Sequence, residues 1–260
     1  MTAPHRRTLG VLGGMGPLAT VDFLDKLVRA TPAATDQAHL PIVVRFCPEI
    51  PDRVAALRGT GASPAVALAA AARGLQAAGA DAIVIPCHTA HVWADAVEAA
   101  VSIPLLHIAP PALAAAGRAA RGAPVGLLAS SGTREAALYA SPGHGIHWIE
   151  PTADEQQRWV APGILAVKSG RLVEATLLLA AAAHALADRG AGALLLACTE
   201  IPIVLADHPL PVPVVDATAA LAAHCVAWAL AGEGSPESVG GPPAALSSRR
   251  GTSPGSPATA

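Results

Sequence analysis

The stretch LQAAGADAIVIPCHTA, residues 75–90, has a counterpart further along the chain in LADRGAGALLLACTEI, residues 186–201. Leucine, the Gly-Ala pair, the apolar run and the cysteine fall in register at one fixed offset, and a threonine stands close behind each cysteine. A proline-containing apolar run follows each copy, SIPLLHI (102–108) and PVPVVDA (211–217). Upstream, LGVLGG (9–14) and VGLLAS (125–130) stand in nearly the same relation. Self-similarity over several elements marks a two-fold internal repeat.

Working outward, short apolar runs alternate with helical ones. TLGVLGG (8–14), PIVVRF (41–46), DAIVIPC (81–87) and IPLLHI (103–108) read as strands. TVDFLDKLVRAT (20–31), SPAVALAAAARGLQAAGA (63–80) and ADAVEAAV (94–101) read as the helices between them, with Ser63 a candidate N-cap and Pro64 at the first helical position. The pattern restarts at APVGLLAS, residues 123–130. Strands apolar throughout, rather than at every second residue, belong to parallel sheets covered on both faces.

The expected fold is therefore α/β: two pseudo-symmetric domains, each a parallel sheet flanked by helices. Residues 1–110 plus 214–231 form the first domain and 111–213 the second, with the last helix, TAALAAHCVAWALAG (218–232), returning to the first. The segment 232–260, rich in Gly, Pro and Ser, reads as a disordered tail.

The composition narrows the function classes. A 52% hydrophobic content over 260 residues is ample for cores, and a net charge of −2 without a long basic run leaves no footprint for nucleic acid. Residues 173–190, VEATLLLAAAAHALADRG, are too short and interrupted to span a bilayer, so no membrane partner is expected. The first residues, MTAPHRRTLGVLGGMGP, lack the apolar core of a signal peptide. Cys47, Cys87, Cys198 and Cys225 are scattered without a CxxC pair, which suits reduced thiols in a cytoplasm.

In a parallel α/β sheet, ligands bind beyond the carboxyl ends of the strands. Cys87 and Cys198 fall at that end of equivalent strands, so two facing halves bring both thiols to one cleft. Such a pair suits the removal of a proton from one face of a carbon and its return to the other. One sulfur must then be a thiolate base while the other stays a protonated acid. A free thiol titrates near ~8.5, and the helix start expected after Cys87 favours the thiolate. Cys47 and Cys225 have no equivalent partners and read as core residues. His88 and His91 beside Cys87 do not share a helix face in the manner of a metal pair, and no further ligand cluster is evident, so no metal is expected.

The segments GVLGGMGPLATVDF, DQAHLPIVV, PEIPDR, PCHTAH and ACTEIP together resemble the cofactor-independent aspartate/glutamate racemase superfamily, and within it the aspartate racemase branch, over roughly residues 8 to 230. The resemblance implies Cys87 and Cys198 as paired acid and base acting on an amino acid, without pyridoxal phosphate or metal, in what is commonly a homodimer. It also implies that Arg53 binds a substrate carboxylate and Lys168 the other one. Thr89, Thr199 and Glu200 follow the cysteines and offer polar groups to the substrate. Ser130, Ser131 and Thr133 come after the strand that opens the second repeat and are expected in the same cleft. Met15, in the GGMGP loop, is expected at the pocket floor, where glycines allow close backbone approach. A glycine loop alone is weak evidence for a phosphate cradle.

Two departures bear on specificity. His88 stands where the family usually has Asn, and Phe46 and Cys47 replace an Asn ahead of the PEIPDR segment, which is expected to make the pocket more apolar. Relatives with the same fold, a hydantoin racemase or a maleate cis–trans isomerase, are the enzymatic alternatives. An arylmalonate-type decarboxylase needs only one of the two cysteines. A non-catalytic amino-acid-binding protein on this scaffold is the alternative from another class.

Overall fold

The computed structural model describes residues 6–139 and 145–231. The expected tail at 232–260 lies outside the described residues. In the first half, β1 (Leu9–Gly13), α1 (Pro17–Ala30), β2 (Ile42–Phe46), α2 (Arg53–Leu57), α3 (Ala65–Ala77), β3 (Ala82–Val84), α4 (Ala94–Glu98) and β4 (Leu105–Leu106) follow in order. After α5 (Ala109–Ala120) come β5 (Val125–Ala129), α6 (Ser131–Glu135), β6 (Trp148–Ile149), α7 (Ala153–Glu155), α8 (Ala161–Lys168) and α9 (Leu172–Asp188). The chain continues through β7 (Ala193–Ala197), α10 (Pro202–Leu205), β8 (Val214–Asp216) and α11 (Ala217–Leu230).

Both sheets are four-stranded and parallel, with orders β2-β1-β3-β4 and β6-β5-β7-β8. The repeat seen in the sequence is thus a repeat of topology. β1, β5 and β7 are buried at every residue, as unbroken apolar strands covered on two faces must be. The copies match down to a packing detail. Gly10 and Gly126 occupy the second position of β1 and β5, and a Cβ on either would come within 3.2 Å of Leu75 Cβ or 3.1 Å of Leu186 Cβ respectively. Those two leucines are in register in the sequence repeat. Glycine lets the crossover helix sit close on the sheet in each half.

The boundary between the halves differs slightly from the one expected. β8 pairs with β7, so residues 214–216 belong to the second sheet, and the chain returns to the first half only with α11. Leu221, Ala222, Cys225 and Ala229 of α11 join a core with Phe23 and Leu27 of α1 and Leu9 and Val11 of β1. α5 carries the other crossing, packing Ala112, Leu113 and Ala116 against Leu127 and Leu195 of the second sheet. Ser63 accepts a hydrogen bond from the Ala65 N–H at 3.3 Å, while Pro64 takes the N-cap position, so α3 begins one residue later than expected. Among the described residues no helix is long and apolar enough to cross a membrane. The alanine-rich α9 turns Ala175, Leu179, Ala182 and Leu186 into the second core.

Candidate active site

In each sheet the first and third strands are neighbours, and successive connections leave them in opposite directions. That switch point opens a crevice at the carboxyl ends of the strands. Four loops meet there: after β1 with Met15, after β3 with Cys87, after β5 with Ser130, and after β7 with Cys198. All four residues line one cleft, together with Arg53, His88, Thr89, Lys168, Thr199 and Glu200. Its cavity volume is ≈ 40 Å³, room for little more than a water molecule.

The loop after β1 is held by Thr20 of α1, whose hydroxyl accepts from the Gly14 N–H at 2.8 Å and donates to the Gly16 carbonyl at 2.9 Å. Gly14 is left-handed, at φ +97°, and any Cβ there would lie 2.6 Å from the Cys47 backbone. The loop can fold over Cys47 only as glycine. Asp52 caps α2 by accepting from the Ala55 N–H at 2.8 Å, which sets Arg53 at the first helical residue. The Arg53 Nη1 donates to the Ile50 and Pro51 carbonyls, both at 3.1 Å. No carboxylate pairs with Arg53 among the described residues, its sequence neighbours Asp52 and Glu49 included.

Glu200 is 4% exposed. Its Oε2 accepts from Cys198 Sγ at 3.1 Å and from Thr199 Oγ1 at 3.3 Å. Its Oε1 has no hydrogen-bond partner, and Lys168 Nζ lies 3.8 Å from it. Burial pushes the Cys198 thiol well up, and the adjacent carboxylate adds to it. Burial also raises Cys87, opposed first by the positive charge of Arg53 and more weakly by the Ala90 N–H. Burial works to lower Lys168, but the charge of Glu200, joined by that of either sulfur when ionised, outweighs it and raises the ammonium. The thiolate-favouring helix expected after Cys87 is a 3-10 turn over Thr89–Trp93 followed by the five-residue α4, and desolvation prevails over it. In the unliganded cleft burial thus favours the thiol form of both sulfurs.

Thr89, Ser130 and Thr133 form a closed hydroxyl triangle with edges of 3.2, 3.3 and 2.9 Å. It ties the loop after β3 to the start of α6 across the two halves. Thr133 thus stands behind Ser130 rather than lining the cleft. Ser131 also lies off it, accepting from Gln156 Nε2 at 3.4 Å. Phe46, expected in the pocket, is 45% exposed at the end of the edge strand β2, and Cys47 is buried in the core beside Met15 and Ile50. Neither lines the cleft. Asp52, Val54 and Ile164 do, unforeseen. Ile164 sits one helical turn before Lys168, so the i, i+4 rule would have found it.

His91 is occupied by its neighbours. Its Nδ1 bonds the Cys87 carbonyl at 2.9 Å, which makes that nitrogen the donor, and its Nε2 accepts from the Ile108 N–H at 3.4 Å. His88 is 2% exposed, neither of its ring nitrogens has a partner, and burial pulls it down to about 3. It faces the cleft as a neutral imidazole.

This geometry can be set beside known proteins. The family model described as Asp/Glu/Hydantoin racemase matches residues 12–225. The broad specificity amino-acid racemase RacX of Bacillus subtilis (strain 168) is 29% identical over 231 residues, 86% of this chain and 98% of that protein. The aspartate racemase of Picrophilus torridus superposes with a TM-score of 0.74 at 31% identity, covering 86% of this chain and 94% of that one. An aspartate racemase homologue from Pyrococcus horikoshii OT3, at 20% identity and a TM-score of 0.65 over 86% of this chain and 99% of its own, shares the fold. The chain belongs to the Asp/Glu/hydantoin racemase family. It is an amino-acid racemase of that family, hence an isomerase.

Proposed function

We propose that this racemase inverts aspartate, glutamate or a related acidic amino acid without pyridoxal phosphate, by two-base proton transfer between Cys87 and Cys198. The observation that carries the reading is the placement of both sulfurs on one cleft, at the matching ends of matching strands. The thiolate of one removes the α-proton, and the thiol of the other delivers a proton to the opposite face. Arg53 and Lys168 supply two cations for two carboxylates, and a guanidinium free of acidic partners is suited to a bidentate grip. Thr89, Ser130 and Thr199 add hydroxyls. The substrate's ammonium offsets the burial that raises both thiols, because an opposite charge nearby favours the ionised sulfur.

His88 in place of the family's usual Asn offers a neutral donor and acceptor instead of an amide. That supports tolerance of more than one side chain, in keeping with the broad specificity of RacX. We place the enzyme in the cytoplasm as a homodimer. Four free cysteines support the first assignment. The second is supported by Leu165, Val173 and Leu177, apolar side chains 60, 79 and 70% exposed on α8 and α9. Sedimentation equilibrium reads the mass directly.

The deciding experiment incubates purified protein with single enantiomers in deuterated water and follows the α-proton by NMR. Exchange accompanied by loss of optical activity is expected with aspartate or glutamate. Inert amino acids alongside turnover of maleate or a hydantoin would move the assignment to those activities. Calorimetric binding of a dicarboxylic amino acid without exchange would make the protein a binder.

A further inference from the structure

We propose that Glu200 fixes the resting proton on Cys198, so that Cys87 is the sulfur that ionises first in the free enzyme. The inference rests on the two-cysteine reading above. Three groups face the Glu200 carboxylate: Cys198 Sγ at 3.1 Å and Thr199 Oγ1 at 3.3 Å donate to it, and Lys168 Nζ forms an ion pair at 3.8 Å. A thiolate at Cys198 would set two buried anions about one hydrogen-bond length apart, and would forfeit the S–H donor. Like charges at that separation disfavour ionisation strongly.

The surroundings of Cys87 are different. Among the described residues it makes no hydrogen bond to a carboxylate; Arg53 is the first charge opposing its burial, Glu200 raises it as it does Cys198, and the Ala90 N–H favours the thiolate. The charged groups facing the pair are therefore Glu200, which acts on both sulfurs but is hydrogen-bonded to Cys198 alone, Arg53 from α2, and Lys168 from α8, which acts on both sulfurs. Asp52, the remaining acidic residue on the cleft, is engaged in capping α2.

The consequence is a directed cycle. The Cys87 thiolate takes the α-proton from one enantiomer while the Cys198 thiol gives its own proton to the opposite face. The enzyme is left with Cys87 as thiol and Cys198 as thiolate, the disfavoured form beside Glu200. A proton passes from Cys87 to Cys198 to restore the start, or the product enantiomer is processed in reverse. No atom or electron is gained or lost overall.

Because the two enantiomers are equal in energy, kcat/KM must match in both directions whatever Glu200 does. The decisive readout is therefore the order of ionisation. Alkylate the intact protein with iodoacetamide across a pH series and quantify the Cys87 and Cys198 peptides by mass spectrometry. The Cys87 midpoint is expected below that of Cys198. In Glu200→Gln the Cys198 midpoint falls by about one pH unit or more, since a neutral amide removes the like charge, while Cys87 moves less. Glu200→Asp keeps the charge and restores much of the wild-type order. Equal midpoints, Cys198 ionising first, or an unmoved Cys198 in Glu200→Gln would each overturn the proposal. The wild-type order alone decides it if the glutamine variant does not fold. Failure here with α-proton exchange intact would leave the racemase reading standing. Loss of exchange in wild type would remove that reading instead.

Discussion

Arg53 has its fork tied to backbone carbonyls and, among the described residues, no carboxylate pairs with it, which suits the anion-binding role proposed for it. Removing a charge-assisted hydrogen bond costs about 1.5–3 kcal/mol, so Arg53→Ala should raise KM for a dicarboxylic substrate by about 10- to 100-fold. Steady-state kinetics check this, with Arg53→Lys recovering only part because a point charge lacks the fork. The thiols make a second prediction. Cys87→Ser and Cys198→Ser should each lose net racemisation by several orders of magnitude, since a hydroxyl is a far weaker acid than a thiol. Each should still exchange the α-proton of one enantiomer, and the two should differ in which one. NMR in deuterated water reads both, and near wild-type racemisation by either variant would sink the two-base mechanism. Cys47→Ser and Cys225→Ser should leave activity near wild type. These residues were legible because cysteine is rare here and two of the four fall in register. Phe46 and Ser131 were misplaced because a sequence does not say which face of an edge strand, or which side of a short helix, turns to the cleft.

At the scale of elements, strands were the easier reading, since an unbroken apolar run between breakers has few other uses. The helix expected over 94–101 was less legible. The chain turns first through a 3-10 stretch, and Trp93, at φ −105° and ψ 25°, separates it from α4. The loop after β1 shows how one element holds a site in place. Thr20, fully buried in α1, supplies the side-chain oxygen that meets the Gly14 N–H. Thr20→Val keeps the shape and strands that donor, at a cost of about 1–3 kcal/mol. A lower denaturant midpoint at unchanged m-value is the expected result. Gly14→Ala should do worse, because it combines a positive φ with a Cβ 2.6 Å from backbone that cannot move aside. If Gly14→Ala is as stable as wild type, the loop does not fold over Cys47 as described.

Over the whole molecule, the chain crosses between halves twice, and both crossings are pinned by polar groups. Lys26 of α1 pairs with Asp22 at 2.5 Å and with Asp216 at 2.7 Å, and Asp216 in turn caps α11. This tie lies at the boundary that the pairing of β8 with β7 sets after residue 216. Near the other crossing lies a cluster of buried imidazoles. His91 and His107 pack edge to face at 4.2 Å, and His88 stands 5.8 Å from the Tyr139 ring. Burial holds His107 down to about 4, His88 to about 3, and His91 well below its usual range. Unfolded, all three titrate near 6.5, so between pH 6.5 and about 4 the unfolded chain binds protons that the native chain refuses. Stability must then be full above pH 6.5 and fall as the pH drops through that window. For His107 alone the loss amounts to about 3 kcal/mol by pH 4. Urea midpoints at pH 7.5 and pH 4.5 should differ accordingly, and His107→Gln should lose less than wild type over the same interval. A midpoint independent of pH across that range would mean that these histidines are not held neutral by the fold.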